Sequence, residues 1–323
     1  MSKTDLRIVF MGTPEFAVAP LKMLVEQNYT IVGVVTNPDK PAGRGQKVQE
    51  SAVKQYAKLQ NLTILQPEKF KDPLFIKQLS DLNADLQIIV AFKMLPEIIW
   101  SMPRLGTFNL HASLLPQYRG AAPINWSIIN GEKVTGLTTF FLKHEIDTGN
   151  IVFREEVEIA ENDNAGLLHD RLMEAGAKLV IKTVDAIIKG DYPQVNQSEF
   201  IKPGEKIKTA PKIFKDNCRI NWSDNVNAVY NHIRGLSPYP AAWTELKTSD
   251  GETIPFKIFE TTKELSVHSY SKGSIITDNK NYLKIAVADG FINIIQLQQA
   301  GKKPLIINEF LRGFQKLELC KLV

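Results

Sequence analysis

Short apolar runs rich in β-branched residues recur through the first half of the chain, each followed by a stretch with the length and mixed polarity of a helix. Residues 6–11, 31–35, 86–91, 107–110 and 137–142 are these runs. A strand covered by helices on both faces of its sheet reads as continuously apolar, whereas a half-exposed strand alternates. The pattern therefore predicts an α/β domain built on a Rossmann-like, mostly parallel sheet. The clearest helix is expected over 165–189, where Leu168, Leu172, Leu179 and Ile187 fall at helical spacing. Asn164 stands at its cap position and Gly190 at its stop.

At 323 residues and 44% hydrophobic content, the chain exceeds one typical domain and can bury a sizeable core. Asp191-Tyr192-Pro193 reads as the close of a first domain over 1–190, followed by a basic linker over 191–208. A second, smaller domain is expected over 209–323. There 241–246, 254–259, 283–288 and 291–297 read as strands broken by Gly, Asp and Asn turns, with a short helix near 225–234. That texture suits a small β-barrel or an open sheet. Charge follows the same division: 18 basic against 12 acidic residues give +6 beyond residue 200, and 21 against 23 give −2 before it. The run 201–215 carries Lys202, Lys206, Lys208, Lys212 and Lys215 against Glu205, an excess suited to a phosphate backbone or to a solvated linker. No apolar run approaches a membrane span, and 6–11 is too short and strand-like for a signal peptide, so a soluble, intracellular protein is expected. Cys218 and Cys320 lack the partner spacing of a zinc site or a disulfide framework and read as reduced bystanders.

Chemistry concentrates in Phe108-Asn109-Leu110-His111-Ala112-Ser113-Leu114-Leu115-Pro116. Asn109 and His111 are two apart, so an extended backbone points both side chains to one side. An amide donor beside an imidazole suits acyl transfer: the amide can meet an oxyanion while the imidazole moves a proton. Asp147, in His144-Glu145-Ile146-Asp147-Thr148-Gly149, follows another strand end, and ligands of open α/β sheets bind at such ends, so the two segments can converge. Taken alone, the Asp-Thr-Gly stretch is ordinary turn chemistry. His144, His169, His232 and His268 lack comparable company and read as structural or surface residues.

After the first run, Gly12-Thr13-Pro14-Glu15 places Thr13 to cap and Pro14 at the first helical position. A dinucleotide reading fails, because only one glycine of the G-x-G-x-x-G pattern is present. Residues 37–47 hold two prolines, two glycines and the cations Lys40, Arg44 and Lys47. This predicts a long irregular loop, either a binding lid or a mobile surface segment.

The Asn109-to-Pro116 segment resembles the folate-dependent formyltransferases. With it stand Gly12-Thr13-Pro14-Glu15-Phe16, Lys40-Pro41-Ala42-Gly43-Arg44-Gly45, Arg119-Gly120-Ala121-Ala122-Pro123-Ile124, Asp147-Thr148-Gly149 and Ser237-Pro238-Tyr239-Pro240-Ala241-Ala242-Trp243, in family order across nearly the whole chain. The catalytic core alone is shared with formyltransferases acting on glycinamide ribonucleotide or sugar nucleotides and with formyltetrahydrofolate dehydrogenase. The basic loop and the basic, strand-rich C-terminal part favour the methionyl-tRNA formyltransferase family. That resemblance implies transfer of the formyl group of 10-formyltetrahydrofolate to the methionine amine of initiator methionyl-tRNA, with no metal. It implies Asn109, His111 and Asp147 as catalytic residues and Ser113, Leu114, Leu115 and Pro116 at the folate. Lys40, Arg44, Lys47, Lys206, Lys208 and Lys212 are the expected tRNA contacts, the C-terminal domain is expected to be OB-like, and a cytoplasmic monomer is expected. Two stretches depart from the family pattern: Asn150 stands in place of an aspartate, and Phe92-Lys93-Met94 in place of Tyr-Gly. A sugar-nucleotide formyltransferase and a catalytically silent RNA-binding protein are the rival readings.

Overall fold

The computed structural model describes residues 2–42, 47–145, 147–248, 250–314, 317 and 320–322. It divides into two compact units, one of residues 1–120, 135–157 and 169–209, the other of residues 121–134, 158–168 and 210–323.

The first unit holds a seven-stranded sheet. From one edge the order is Ile151–Glu158, Val134–Phe141, Thr107–His111, Leu86–Val90, Arg7–Gly12, Thr30–Val35 and Ile64–Leu65. Arg7–Gly12 lies parallel to both of its neighbours, and Leu86–Val90 lies parallel to Thr107–His111. The chain steps from the central strand to one side and then returns to build the other, which is the doubly wound plan and leaves a ligand crevice at the carboxyl strand ends. Val134–Phe141 pairs antiparallel with Thr107–His111. The sheet is thus mostly parallel with an antiparallel flank, as the apolar runs led one to expect. The flanking strand Ile151–Glu158 escaped the sequence pattern because Arg154, Glu155, Glu156 and Glu158 interrupt its apolar residues.

Side chains of successive residues go to opposite faces. Val9, Met11, Val35 and Ile89 pack with Phe75, Leu79, Leu95 and Ile99 on one of them. The helix Ala165–Lys189 is capped by Asn164, whose Oδ1 accepts from the Leu167 amide at 2.9 Å, and ends at Gly190 with φ +71°. Its Gly176 lies so close to the sheet that a β-carbon there would stand 2.8 Å from Leu110 Cδ2. Leu110 therefore faces this helix, and alternation turns Asn109 and His111 to the opposite face.

Two local expectations change. Thr13 does not cap: the turn Glu15–Ala17 starts from Pro14 with no side-chain cap, and Thr13 Oγ1 is buried with no partner. In the 37–47 segment, Lys40–Ala42 and Lys47–Gln49 pair as a short antiparallel ribbon. A proline survives there because an isolated ribbon has outer positions that owe no ladder hydrogen bond. Arg44 lies outside the described residues.

The second unit is an antiparallel, nearly closed barrel. Its sheet runs Ile275–Thr277, Leu283–Ala286, Gly290–Gln299, Thr253–Leu265, Ala242–Lys247 and Lys321–Leu322. The 13-residue strand Thr253–Leu265 shifts register around Glu260, and such bulges bend a strand enough to curl its sheet. Inside are Phe256, Ile258, Ile285, Ile292, Ile294 and Leu297. The helix Val226–Leu236 packs Val226, Val229 and Ile233 on this core, and Asn225 caps it by accepting from the Ala228 amide at 2.9 Å.

Candidate active site

Thr107–His111 carries Asn109 and His111 to a carboxyl end of the sheet. The register Met11↔Ile89↔Asn109 puts Asn109 on the face of the buried Met11 and Ile89. Its Oδ1 is buried with no hydrogen-bond partner. A buried amide oxygen left so costs about 1–3 kcal/mol, a penalty that a ligand group bonding there would relieve.

His111 is 7% exposed, and its Nε2 lies 2.9 Å from the Tyr118 carbonyl oxygen. A carbonyl only accepts, so Nε2 carries the proton and the neutral ring keeps its lone pair on Nδ1. Nδ1 faces Asp147, 3.9 Å from Oδ2. That separation is too long for a direct hydrogen bond, and a relayed proton would need a bridging group. Tyr118 has φ +60°, an uncommon backbone state for a side-chain-bearing residue. The strain is held from behind, since the Tyr118 amide donates to the Lys208 carbonyl at 2.7 Å and the Lys208 amide donates to Gln117 Oε1 at 2.8 Å. Gln117 Nε2 donates in turn to Glu205 Oε1 at 2.9 Å. The Lys202 amide and this Gln117 contact hold the Glu205 carboxyl below its ordinary pKa.

Asp147 also has positive φ, at +53°. Its Oδ2 accepts from the Gly120 amide at 3.2 Å, and its carbonyl accepts from Gln197 Nε2 at 2.7 Å. Two residues on, Gly149 is irreplaceable, because a β-carbon there would stand 1.6 Å from the Phe141 carbonyl oxygen. Asn150 Oδ1 accepts from Lys143 Nζ at 2.9 Å, so the amide makes here a contact open to a carboxylate, without the charge.

Ser113 to Pro116 turn mostly inward. Ser113 and Leu115 are fully buried, and Leu115 packs with Phe140 and Ile151. Ser113 Oγ donates to the Gln117 carbonyl at 2.6 Å. Buried Thr138 staples the turn: its Oγ1 donates to the Ser113 carbonyl at 2.7 Å and accepts from the Leu115 amide at 3.1 Å. Leu114 is half-buried. Of the departing stretch, Phe92 stacks obliquely on Phe70 with ring centroids 5.8 Å apart, while Lys93 and Met94 are exposed.

The structure thus gathers Asn109, His111 and Asp147, and of the expected tRNA contacts it leaves Lys40, Lys206, Lys208 and Lys212 at the surface. Lys47 lies in the short ribbon, and Lys212 Nζ stands 5.4 Å from the Phe214 ring centre. Of the other histidines, His144 is exposed beside Glu97 and Trp100, and His169 meets Phe16 and Asp170. Burial lowers the pKa of His232, and His268 donates towards the Val287 and Gly290 carbonyls. Sequence reasoning missed Thr138, Tyr118 and Gln197. No motif marks them, since each acts through a carbonyl or amide of a neighbouring segment. Among the described residues no group of three His, Cys, Asp or Glu side chains is placed to hold a metal ion.

Comparison with known proteins adds a second line. The formyl transferase family matches over residues 6–184, and the formyl transferase C-terminal domain matches over residues 212–315. A methionyl-tRNA formyltransferase of Bacteroides fragilis is 59% identical over 322 residues, covering 100% of this chain and 99% of that protein. The chain belongs to the methionyl-tRNA formyltransferase family. Two solved structures share its fold. One is WlaRD, a sugar 3N-formyltransferase solved with dTDP and 5-N-formyl-THF, at TM-score 0.63 and 22% identity, covering 92% of this chain and 99% of that one. The other is an N-formyltransferase of Helicobacter canadensis with folinic acid and dTDP-3-aminofucose, at TM-score 0.64 and 20% identity, covering 90% and 98%. At those identities they speak for the fold of the family and not for its acceptor.

Proposed function

We propose that this chain transfers the formyl group of 10-formyltetrahydrofolate to the α-amine of methionine on initiator methionyl-tRNA, with Asn109, His111 and Asp147 as the reacting side chains. The donor is a co-substrate consumed in each turnover. The observation that carries the reading is the full-length match to a methionyl-tRNA formyltransferase, on a chain whose three motif residues meet at one strand end. An esterified α-amine titrates near neutrality, so a useful fraction is already a neutral nucleophile and no covalent enzyme intermediate is required. Its nitrogen attacks the formyl carbon, and the carbonyl oxygen becomes an oxyanion as the carbon turns tetrahedral. The Asn109 amide N–H supplies a donor to that charge. The attacking nitrogen sheds a proton, the bond from carbon to the folate nitrogen breaks, and that nitrogen gains a proton. His111 Nδ1 is the ring atom open to take the first proton, and Asp147 stabilises the imidazolium so formed.

The Ser113-to-Pro116 segment meets the folate through its backbone and Leu114, since the Ser113 and Leu115 side chains are already spent inside the fold. Lys40, Arg44 and Lys47 meet the tRNA acceptor arm, and Lys206, Lys208 and Lys212 meet its phosphates. Residues 1–190 carry the catalytic chemistry and 209–323 the tRNA-binding surface, with the basic stretch 191–208 between them belonging to the first compact unit. The protein works as a monomer in the cytoplasm. Incubation with charged initiator tRNA and 10-formyltetrahydrofolate labelled in its formyl group tests the whole. Label is expected on methionyl-tRNA, and label on an amino-sugar nucleotide with none on tRNA overturns the reading.

A further inference from the structure

We propose that Gln197 is a positioning residue for the reaction, a carboxamide clamp that holds the Asp147 turn in register with His111. This rests on the assignment of Asp147 above. Gln197 is 2% exposed and spends its whole bonding capacity on two segments. Nε2 donates to the Asp147 carbonyl at 2.7 Å and to the Gly149 carbonyl at 2.9 Å. Oε1 accepts from Arg119 Nε at 3.1 Å and from Arg119 Nη2 at 2.6 Å. A carboxamide offers two N–H donors and two lone pairs on oxygen, and all four are used. The partners also fix which end is which: carbonyls accept only, and a guanidinium donates only.

The two segments joined in this way are those that meet at the Asp147 carboxylate. Gly120, next to Arg119, donates its amide to Asp147 Oδ2. The clamp therefore closes a ring running from Arg119 through Gln197 and Asp147 back to Gly120. Asp147 sits at φ +53°, a conformation it does not hold by itself at no cost. Bonds to its own carbonyl and to that of Gly149 pin the turn that follows this strained residue.

Gln197 is itself well anchored. Val195 exchanges both backbone bonds with Ile151 on the edge strand, at 2.8 and 3.0 Å, and Asn196 Oδ1 accepts from the Ser198 amide at 3.0 Å. Phe200, at the end of the same turn, packs on Leu115, Phe140 and Ile151. The clamp is thus fastened to the sheet that carries Asn109 and His111. No other side chain type of this length fits. Glutamate would set its oxygens against two carbonyl oxygens, and methionine would leave both carbonyls and the Arg119 fork unbonded. Gln197 touches neither reactant and acts only through Asp147. The separation of 3.9 Å between Asp147 and His111 leaves little room for drift, and a misplacement of about 1 Å costs about a hundredfold in rate.

The test is a double-mutant cycle on the full chain with Gln197→Met and Asp147→Ala. Single-turnover formyl transfer to methionyl-tRNA gives the rates, KM for the folate is measured alongside, and near-UV circular dichroism checks the fold. Gln197→Met is expected to slow transfer about 10–100-fold with the folate KM within about threefold. Adding it to Asp147→Ala is expected to cost less than about threefold more. A wild-type rate for Gln197→Met, or losses that multiply in the double variant, overturns the proposal. A wild-type rate for Asp147→Ala instead overturns the assignment of Asp147. Gln197→Glu keeps an acceptor for Arg119 and removes both donors, so it decides the matter if the methionine variant fails to fold. A rate loss at constant KM supports the clamp, and an unchanged rate refutes it.

Discussion

Replacing Thr138 by valine removes one hydroxyl from a fully buried position and keeps the shape of the side chain. Two bonds go with it, the one to the Ser113 carbonyl and the one from the Leu115 amide. Neither orphan reaches water, because Ser113 and Leu115 are themselves fully buried. An unsatisfied buried group costs about 1–3 kcal/mol, so the pair is expected to cost roughly 2–4 kcal/mol after partial relaxation. For a domain of 150–250 residues that lowers Tm by roughly 4–16 °C. The same loss unseats the Ser113-to-Pro116 turn, so the folate KM should rise along with the instability. Thermal unfolding by circular dichroism, paired with steady-state kinetics, reads both. Thr138→Ser keeps the hydroxyl and loses only a methyl group, so it should stay within about 1.5 kcal/mol of the parent. A valine variant that melts within a degree of the parent at an unchanged folate KM refutes the staple.

Gly149→Ala puts a β-carbon 1.6 Å from the Phe141 carbonyl oxygen, which no side-chain adjustment relieves. The variant should lose several kcal/mol and be recovered largely insoluble, while a soluble and active protein would contradict the close approach. In the second unit, hydrogen bonds from Lys133 and then Lys263 pull the Glu161 carboxyl down to about 2. A depressed folded-state pKa gives stability that is present above the unfolded value and is lost as pH falls from about 4.5 towards 2. Glu161 is half-exposed, so solvent screening limits the effect to under ~1 kcal/mol. Glu161→Gln should narrow the Tm difference between pH 6 and pH 3 at low salt, and an unchanged difference would remove the pair from the account. Replacing Lys206, Lys208 and Lys212 by glutamine should weaken tRNA binding and flatten its salt dependence, each lost phosphate contact lowering the slope of log K against log salt by roughly 0.7–0.9. An unchanged slope assigns these lysines to solvent.

Much of the fold was legible because burial leaves a strong local mark. The continuously apolar runs at 6–11 and 86–91 became central parallel strands, and Asn164 with Gly190 bounded the helix Ala165–Lys189. The Asn109 and His111 pair was legible for a similar reason, since alternation along one strand fixes which side chains share a face. What stayed hidden depends on contacts distant in sequence. Thr13 looks like a cap because Thr-Pro opens many helices, yet the turn that follows begins at Pro14. Gln197 lies in a polar stretch that reads as linker, and its worth comes from carbonyls 48 and 50 residues away. The left-handed backbone of Tyr118 and Asp147 has no composition signal either, because neither is glycine and both conformations are imposed by surrounding hydrogen bonds.

In the proposed reaction, side chains on one strand end meet charge that exists only while the formyl group is in transit. Asn109→Ala tests it most directly, measured as the single-turnover rate of formyl transfer to methionyl-tRNA beside the equilibrium affinity for the folate. An interaction made only in the transition state lowers the rate and leaves binding intact. The transfer rate is expected to fall about a hundredfold or more, with the folate Kd within about threefold of the parent. A near-normal transfer rate, or a loss explained wholly by weaker folate binding, would contradict this expectation.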